Sequence, residues 1–308
     1  MKKLQRSSSD HARALREALD APIFNRIIKK WVGKGELDYE IYLRTQDLYA
    51  LQAPRHQQVT AQELMFQIVH QTQELWLKLV ANECADLVDD LDADSFWDAS
   101  ERLERIVRVQ RSMAEEMRVL MTLTPDVYQV IRRHLGNGSG QESPGYNQVH
   151  LAGTALTGAL ERLLARRGLT LAEVYGEGST ALDVRRVCEQ LADFDEAFQS
   201  WLTQHFMLVR RTIGIDRQVQ ALDGFPTTAL PARMLQPLFA ALWEVRVQLT
   251  RAWKREGGTA PGERRSTGGS DATVHVTVPA IGTAPVAGSE RRSGPQPVLA
   301  PVKARDSQ

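Results

Sequence analysis

Before Gly257 the sequence has no sustained alternation of apolar and polar residues, while apolar side chains recur every three to four positions through segments many turns long. A period of two marks a strand with one buried face; a period near 3.6 marks a helix with one buried stripe. Because only the second pattern is present, helices must pack on helices, and the expected fold class is an all-α helical bundle. Over about 61–90 the stripe reads Met65, Ile68 and Val69, Thr72, Trp76, then Leu79 and Val80.

The punctuation agrees with that reading. Thr60-Ala61-Gln62-Glu63 has the form of a capping box, in which the threonine caps an amide and the glutamate reaches back. A second long helix is expected over about 95–121, and a short one opened by Thr124-Pro125 and closed by Gly136. Four glycines and a proline make 136–145 a loop. Helices are then expected over 146–167, ending at Gly168, over 170–175, from Thr180 to a stop at Gly214, and from Pro231 to about Glu256.

Several function classes drop out on composition. The 38 basic and 38 acidic side chains among 308 residues cancel, so no net basic field exists to hold nucleic acid. No apolar run approaches the ~20 residues of a membrane span, and residues 1–20 are charged and serine-rich, without the apolar core of a secretory signal. Cys84 and Cys188 are too few for a disulfide framework or a cysteine-ligated cluster. A cytoplasmic protein without membrane or nucleic-acid partners is expected. Past Gly257 the chain turns to Gly, Pro, Ser, Thr, Ala and Arg, a composition unable to bury enough apolar surface to offset its ordering entropy. Thr273-Val274-His275-Val276-Thr277-Val278 alternates like a strand but stands alone. The expected organisation is an N-terminal helical arm over 1–36, a helical domain bearing the chemistry over 37–257, and a disordered tail over 258–308.

Seven histidines are the main reservoir of chemistry. His70 shares a helix face with Phe66, four residues earlier, so an aromatic ligand could pack on one and hydrogen-bond the other. Tyr128 and Arg132 form a second such pair, and the planar guanidinium can bind a carboxylate through two hydrogen bonds. His205 lies on an apolar helix face, as a proximal ligand to a five-coordinate heme iron would. Spacing alone favours the plainer readings of the first two pairs, a histidine satisfied in an ordinary helix interface and a solvated arginine beside a half-buried tyrosine, and does not separate a core histidine from a ligand at His205. No Cys-x-x-Cys-His, His-Glu-x-x-His, phosphate loop or nucleophile elbow occurs, and Gly136-x-Gly138-x-Gly140 follows no strand.

The run Phe66-Gln67-Ile68-Val69-His70-Gln71-Thr72-Gln73-Glu74-Leu75-Trp76-Leu77-Lys78-Leu79 closely resembles the tryptophan 2,3-dioxygenase family. The resemblance extends from Leu37 to about Ser143 and resumes over 198–214. It implies the tryptophan/indoleamine dioxygenase type of bundle, a heme b cofactor, an aromatic amino acid and dioxygen as substrates, and a homotetramer. By position, His70 resembles the distal histidine that hydrogen-bonds the indole N–H, with Phe66 walling the pocket. Tyr128 and Arg132 resemble the substrate-carboxylate contacts, and Ser139-Gly140 the small-residue turn bordering heme and substrate. His205, nine residues before Gly214, resembles the proximal iron ligand. Leu37-x-Tyr39-x-x-Tyr42-Leu43 resembles the N-terminal element that enters a neighbouring subunit's pocket in this family.

The departures are equally specific. The family's Phe-Gln-Ser-x-Gln-aromatic-Arg run is replaced by Gln141-Glu142-Ser143-Pro144-Gly145-Tyr146-Asn147, and Met117 stands where a tryptophan is common. The Gly-Thr-Gly-Gly-Ser lid after Gly214 is replaced by Asp216-Arg217-Gln218-Val219-Gln220. Thr227 and Thr228 are the candidates to take over from the lid's threonine. The resemblance implies insertion of dioxygen across the indole C2–C3 bond of L-tryptophan or a substituted tryptophan or indole. Two other readings stay open: a heme-dependent aromatic amino-acid hydroxylase inserting one oxygen into a tyrosine or indole ring, and a non-catalytic helical heme-binding protein.

Overall fold

The computed structural model describes residues 9–20, 37–234, 236–253 and 261–262. Every regular element among them is helical, apart from a lone antiparallel bridge between Gln220 and Pro226. In chain order these are α1 (Asp10–Asp20), α2 (Asp38–Leu43), α3 (Thr45–Ala50), α4 (Glu63–Asp92), α5 (Phe96–Leu120), α6 (Pro125–Arg132), α7 (Pro144–Arg167), α8 (Leu171–Tyr175), α9 (Leu182–Thr212), α10 (Leu230–Met234) and α11 (Ala240–Ala252). Short 3₁₀ turns occupy Gly140–Glu142 and Thr227–Ala229. One unit runs to Trp253 and a second from Lys254 onward. The expected tail and its strand-like 273–278 lie outside the described residues, save 261–262, as does the expected arm outside 9–20.

Four long helices build the core. α4 packs along α5 on one side and α7 on the other, and α9 packs along α5. Side chains fully out of water, such as Leu87, Leu91, Leu103, Ile106, Leu156, Leu163, Leu191 and Phe194, fill the space between them. α7 and α9 instead meet through aromatic rings: Tyr146 stacks on Phe198 at 6.1 Å, and His150 stands edge-on to the same ring at 5.5 Å. Bulky rings in place of close backbone contact leave a gap on that side of the bundle.

Charged clamps secure the ends. Arg102 of α5 reaches Glu83, Asp86 and Asp90 of α4 at 3.2, 2.8 and 2.7 Å. Arg162 of α7 grips Asp92 with two hydrogen bonds of 2.9 and 2.6 Å. Glycines in the left-handed region stop α7 and α9, Gly168 at φ 62° and Gly214 at φ 82°, as their sequence positions require.

Three expectations are corrected. Thr60 caps nothing: its hydroxyl is buried without a partner, the helix starts at Glu63, and the Glu63 carboxylate accepts the Val59 N–H at 2.5 Å. The buried stripe of α4 is Val69, Gln73, Leu77, Val80, Cys84, Leu87 and Leu91, whereas Ile68 is 42% exposed and Trp76 36%. The helix expected to run unbroken from Pro231 is interrupted between α10 and α11, where Pro237 can donate no backbone hydrogen bond. The buried carboxylate of Asp195 on α9 instead accepts the Phe239 N–H at 3.1 Å and the Trp243 indole N–H at 2.8 Å, docking the start of α11.

Candidate active site

The gap left by the α7–α9 aromatics opens into a cleft with about 870 Å3 free of protein atoms, its mouth included. α4 contributes His70, Gln73, Glu74 and Leu77 to its wall, one helix face by their three- and four-residue spacing. Met117 and Leu120 come from α5, Trp201, Leu202, His205 and Phe206 from α9, and Gly140, Gln141, Ser143 and Tyr146 from the 3₁₀ turn and the start of α7. Leu230 completes the lining. The walls are mainly apolar, with two imidazoles as their basic groups.

Both imidazoles are held neutral, for stated reasons. Desolvation in the cleft lowers the pKa of His70; its hydrogen bond to the Phe66 carbonyl and the charge of Glu74 oppose that without reversing it. The residue keeps accessible surface and lines the cleft. The hydrogen bond fixes the tautomer as well: Nδ1 lies 2.7 Å from the Phe66 carbonyl oxygen, which can only accept. In neutral His70 the proton therefore sits on Nδ1, and Nε2 is an acceptor. Desolvation, and then the nearby His70, push His205 down to about 4.

His205 has no hydrogen bond to either ring nitrogen among the described residues. Gly140 lies against its Nε2, and a methyl group on Gly140 would stand 3.3 Å from that nitrogen. A neutral, uncommitted imidazole in a cleft with large apolar walls, approached by backbone without a side chain, fits a residue that would hold a heme iron.

The remaining sequence candidates divide. Phe66 lies against the His70 ring at 4.1 Å, and Tyr128 faces Phe66 at 6.2 Å. Burial raises the Tyr128 pKa, so its hydroxyl stays protonated, although Arg132 opposes the rise. One arm of Arg132 donates to the Gln220 carbonyl at 2.7 Å, tying α6 to the loop after Gly214. Ser139 caps the 3₁₀ turn through its hydroxyl, which accepts the Gln141 N–H at 3.3 Å, and only its neighbour Gly140 reaches the cleft. Tyr39, Tyr42 and Leu43 lie exposed on α2, Tyr42 by 87%. Thr227 is fully buried, its hydroxyl bonded to the Asp216 and Val219 carbonyls at 3.3 and 3.1 Å, so it is not a substitute for a lid threonine at the cleft.

Sequence reasoning missed Glu74, which joins α4 to the start of α7. Its carboxylate accepts from the Ser143 hydroxyl and from the Gly145 N–H, the latter at 3.0 Å. It also missed Gln73 and Trp201. The available signals were helical spacing: Glu74 is four residues after His70, and Trp201 is four before His205.

Comparison with known proteins bears on the same residues. The family model described as tryptophan 2,3-dioxygenase matches residues 28–152, which include His70, Tyr128, Arg132 and Gly140. The tryptophan 2,3-dioxygenase of Kineococcus radiotolerans is 32% identical over 262 residues, covering 68% of this chain and 92% of that one. That of Myxococcus xanthus is 30% identical, covering 70% and 91%, and that of Erythrobacter litoralis 29%, covering 70% and 99%. An all-helical bundle, a cleft between two neutral imidazoles and similarity to nearly the whole length of these relatives agree: the chain belongs to the tryptophan 2,3-dioxygenase family, a family of heme-dependent oxidoreductases.

Proposed function

We propose that this protein binds heme b and inserts dioxygen across the indole C2–C3 bond of L-tryptophan or a substituted tryptophan or indole, giving a product of the N-formylkynurenine type. The observation that carries this reading is the pair of imidazoles on one cleft, one with an uncommitted nitrogen and one with its acceptor nitrogen fixed. His205 would hold the heme iron. When bound, heme would supply the iron chemistry that activates dioxygen.

The chain's own residues account for orientation and water exclusion. His70 presents Nε2 as an acceptor because the Phe66 carbonyl holds the proton on Nδ1, so an indole N–H has a partner at that position. Phe66 packs the aromatic side, and the free arm of the Arg132 guanidinium together with the Tyr128 hydroxyl would receive the substrate carboxylate. Gly140, and Ser139 beside it, border the cofactor and the substrate. Leu77, Met117, Leu120, Leu202 and Phe206 keep water from the reacting atoms. The reading includes a cytoplasmic homotetramer in which Tyr39, Tyr42 and Leu43, exposed on α2, enter a neighbouring subunit's pocket.

One observation supports mono-oxygenation of a tyrosine or indole ring as a second reading. The first threonine after the missing lid, Thr227, is committed to its own loop, so the substrate's ammonium end is held differently from the family pattern. Turnover under ¹⁸O₂ tests both. Two labelled atoms in a ring-opened product are expected; one labelled atom in an intact ring transfers the function to the second reading, and no Soret band after heme reconstitution defeats both.

A further inference from the structure

Among the described residues a single hydrogen bond joins α4, which carries His70, to α9, which carries His205: the Trp201 indole N–H donates to the Gln73 side-chain oxygen at 2.5 Å. The two helices do not pack backbone to backbone, and the cleft lies between them. Gln73 is buried, the one amide in the α4 stripe, and Trp201 is also buried. The Gln73 amide nitrogen donates to the Met113 carbonyl at 3.1 Å and to the Glu116 carboxylate at 3.2 Å. Both of these partners can only accept, so the amide must turn its NH₂ toward α5 and its oxygen toward Trp201. Glu116 is in turn held by the Trp76 indole N–H at 3.0 Å and the Thr72 hydroxyl at 3.3 Å.

We propose that Gln73 is a positioning residue that clamps Trp201 and thereby sets the spacing and tilt between the His70 and His205 helices across the cleft. Its consequence at iron rests on the heme reading; the clamp itself does not. Trp201 stands one turn before His205 on the same helix face, so a rotation of its ring alters the space beside the imidazole. Without the Gln73 oxygen, a buried indole N–H has no acceptor and the ring has reason to turn toward the cleft, where water can reach it.

The test uses the full chain in two states. Gln73→Met keeps the length and volume of the side chain and removes the acceptor. Before heme is added, the Trp201 indole N–H, identified by its loss in Trp201→Phe, is expected to exchange slowly with deuterium, and Gln73→Met should speed that exchange about tenfold or more. After heme loading and reduction, the iron–histidine stretching band should be narrow in the parent and shifted or broadened in both Gln73→Met and Trp201→Phe. The double variant should add nothing to Trp201→Phe, because both substitutions remove one contact. Unchanged exchange in Gln73→Met overturns the clamp, and an iron–histidine band untouched by both single variants overturns its positioning role. Should Gln73→Met fail to fold, Trp201→Phe reads the same band from the other partner, with the same refuting outcome. Parent protein that takes up no heme refutes the heme reading and leaves exchange in the unloaded chain to decide the clamp.

Discussion

Gly145→Ala sets two physical effects against each other at the edge of the cleft. Gly145 sits in the first turn of α7, where it is buried. A methyl group there would lie 2.5 Å from the Leu77 Cβ and 2.9 Å from the Glu74 Oε2. The Leu77 Cβ is fixed to the α4 backbone and cannot rotate away, so α7 must move off α4. Overpacking of this kind costs about 1–3 kcal/mol, and separating the Gly145 N–H from the Glu74 carboxylate adds roughly 1.5–3 kcal/mol. Replacing glycine by alanine in a helix returns at most about 1 kcal/mol. Packing therefore wins, with a net loss of about 1.5–5 kcal/mol. Gly158, on the same helix, is the matched control: a methyl there meets only the Arg162 Nη1, at 3.4 Å, an ordinary van der Waals contact that leaves the Arg162–Asp92 clamp in place. Urea unfolding should lower the midpoint for Gly145→Ala and leave it equal or raised for Gly158→Ala, with unchanged slopes. Equal midpoints for the two variants would refute the close approach of α4 and α7.

Acid sensitivity should carry the signature of His205. Its pKa of about 4 in the folded protein, against an ordinary 6.5, means the unfolded chain binds the extra proton between those values. Stability is then full above pH 6.5, falls as pH drops toward 4, and levels off below, by roughly 3 kcal/mol in all. Unloaded His205→Gln should lose that part of the slope, and parallel pH profiles for the two proteins would show that His205 is not desolvated. Arg132→Ala should raise KM for a carboxylate-bearing substrate by about tenfold or more with a smaller change in kcat. An unchanged KM would restrict Arg132 to tethering the Gln220 loop.

How far the sequence reached can be judged residue by residue. Periodicity and glycine stops located the long helices within a few residues, because the spacing of apolar side chains and the positive φ at Gly168 and Gly214 are local properties. The run around His70 identified the family, since it carries several side chains of the cleft wall on one stretch of chain. The α4 stripe was misread because apolar side chains alone defined it: Trp76 turns its indole N–H outward to Glu116, while polar Gln73 goes inside, where partners on α5 and α9 satisfy it.

By itself, then, the sequence determined the helical class, the approximate element boundaries and the family, all of which follow from local spacing and residue type. The tertiary structure alone decided which face of α4 is buried, that Asp195 docks α11 past the break at Pro237, and that Arg132 reaches Gln220, 88 residues away. It also decided that α4 and α9 are joined through one amide. The physical reason is shared: a buried polar group is tolerated only where a partner distant in sequence completes its hydrogen bonds, and spacing along one helix carries no record of that partner.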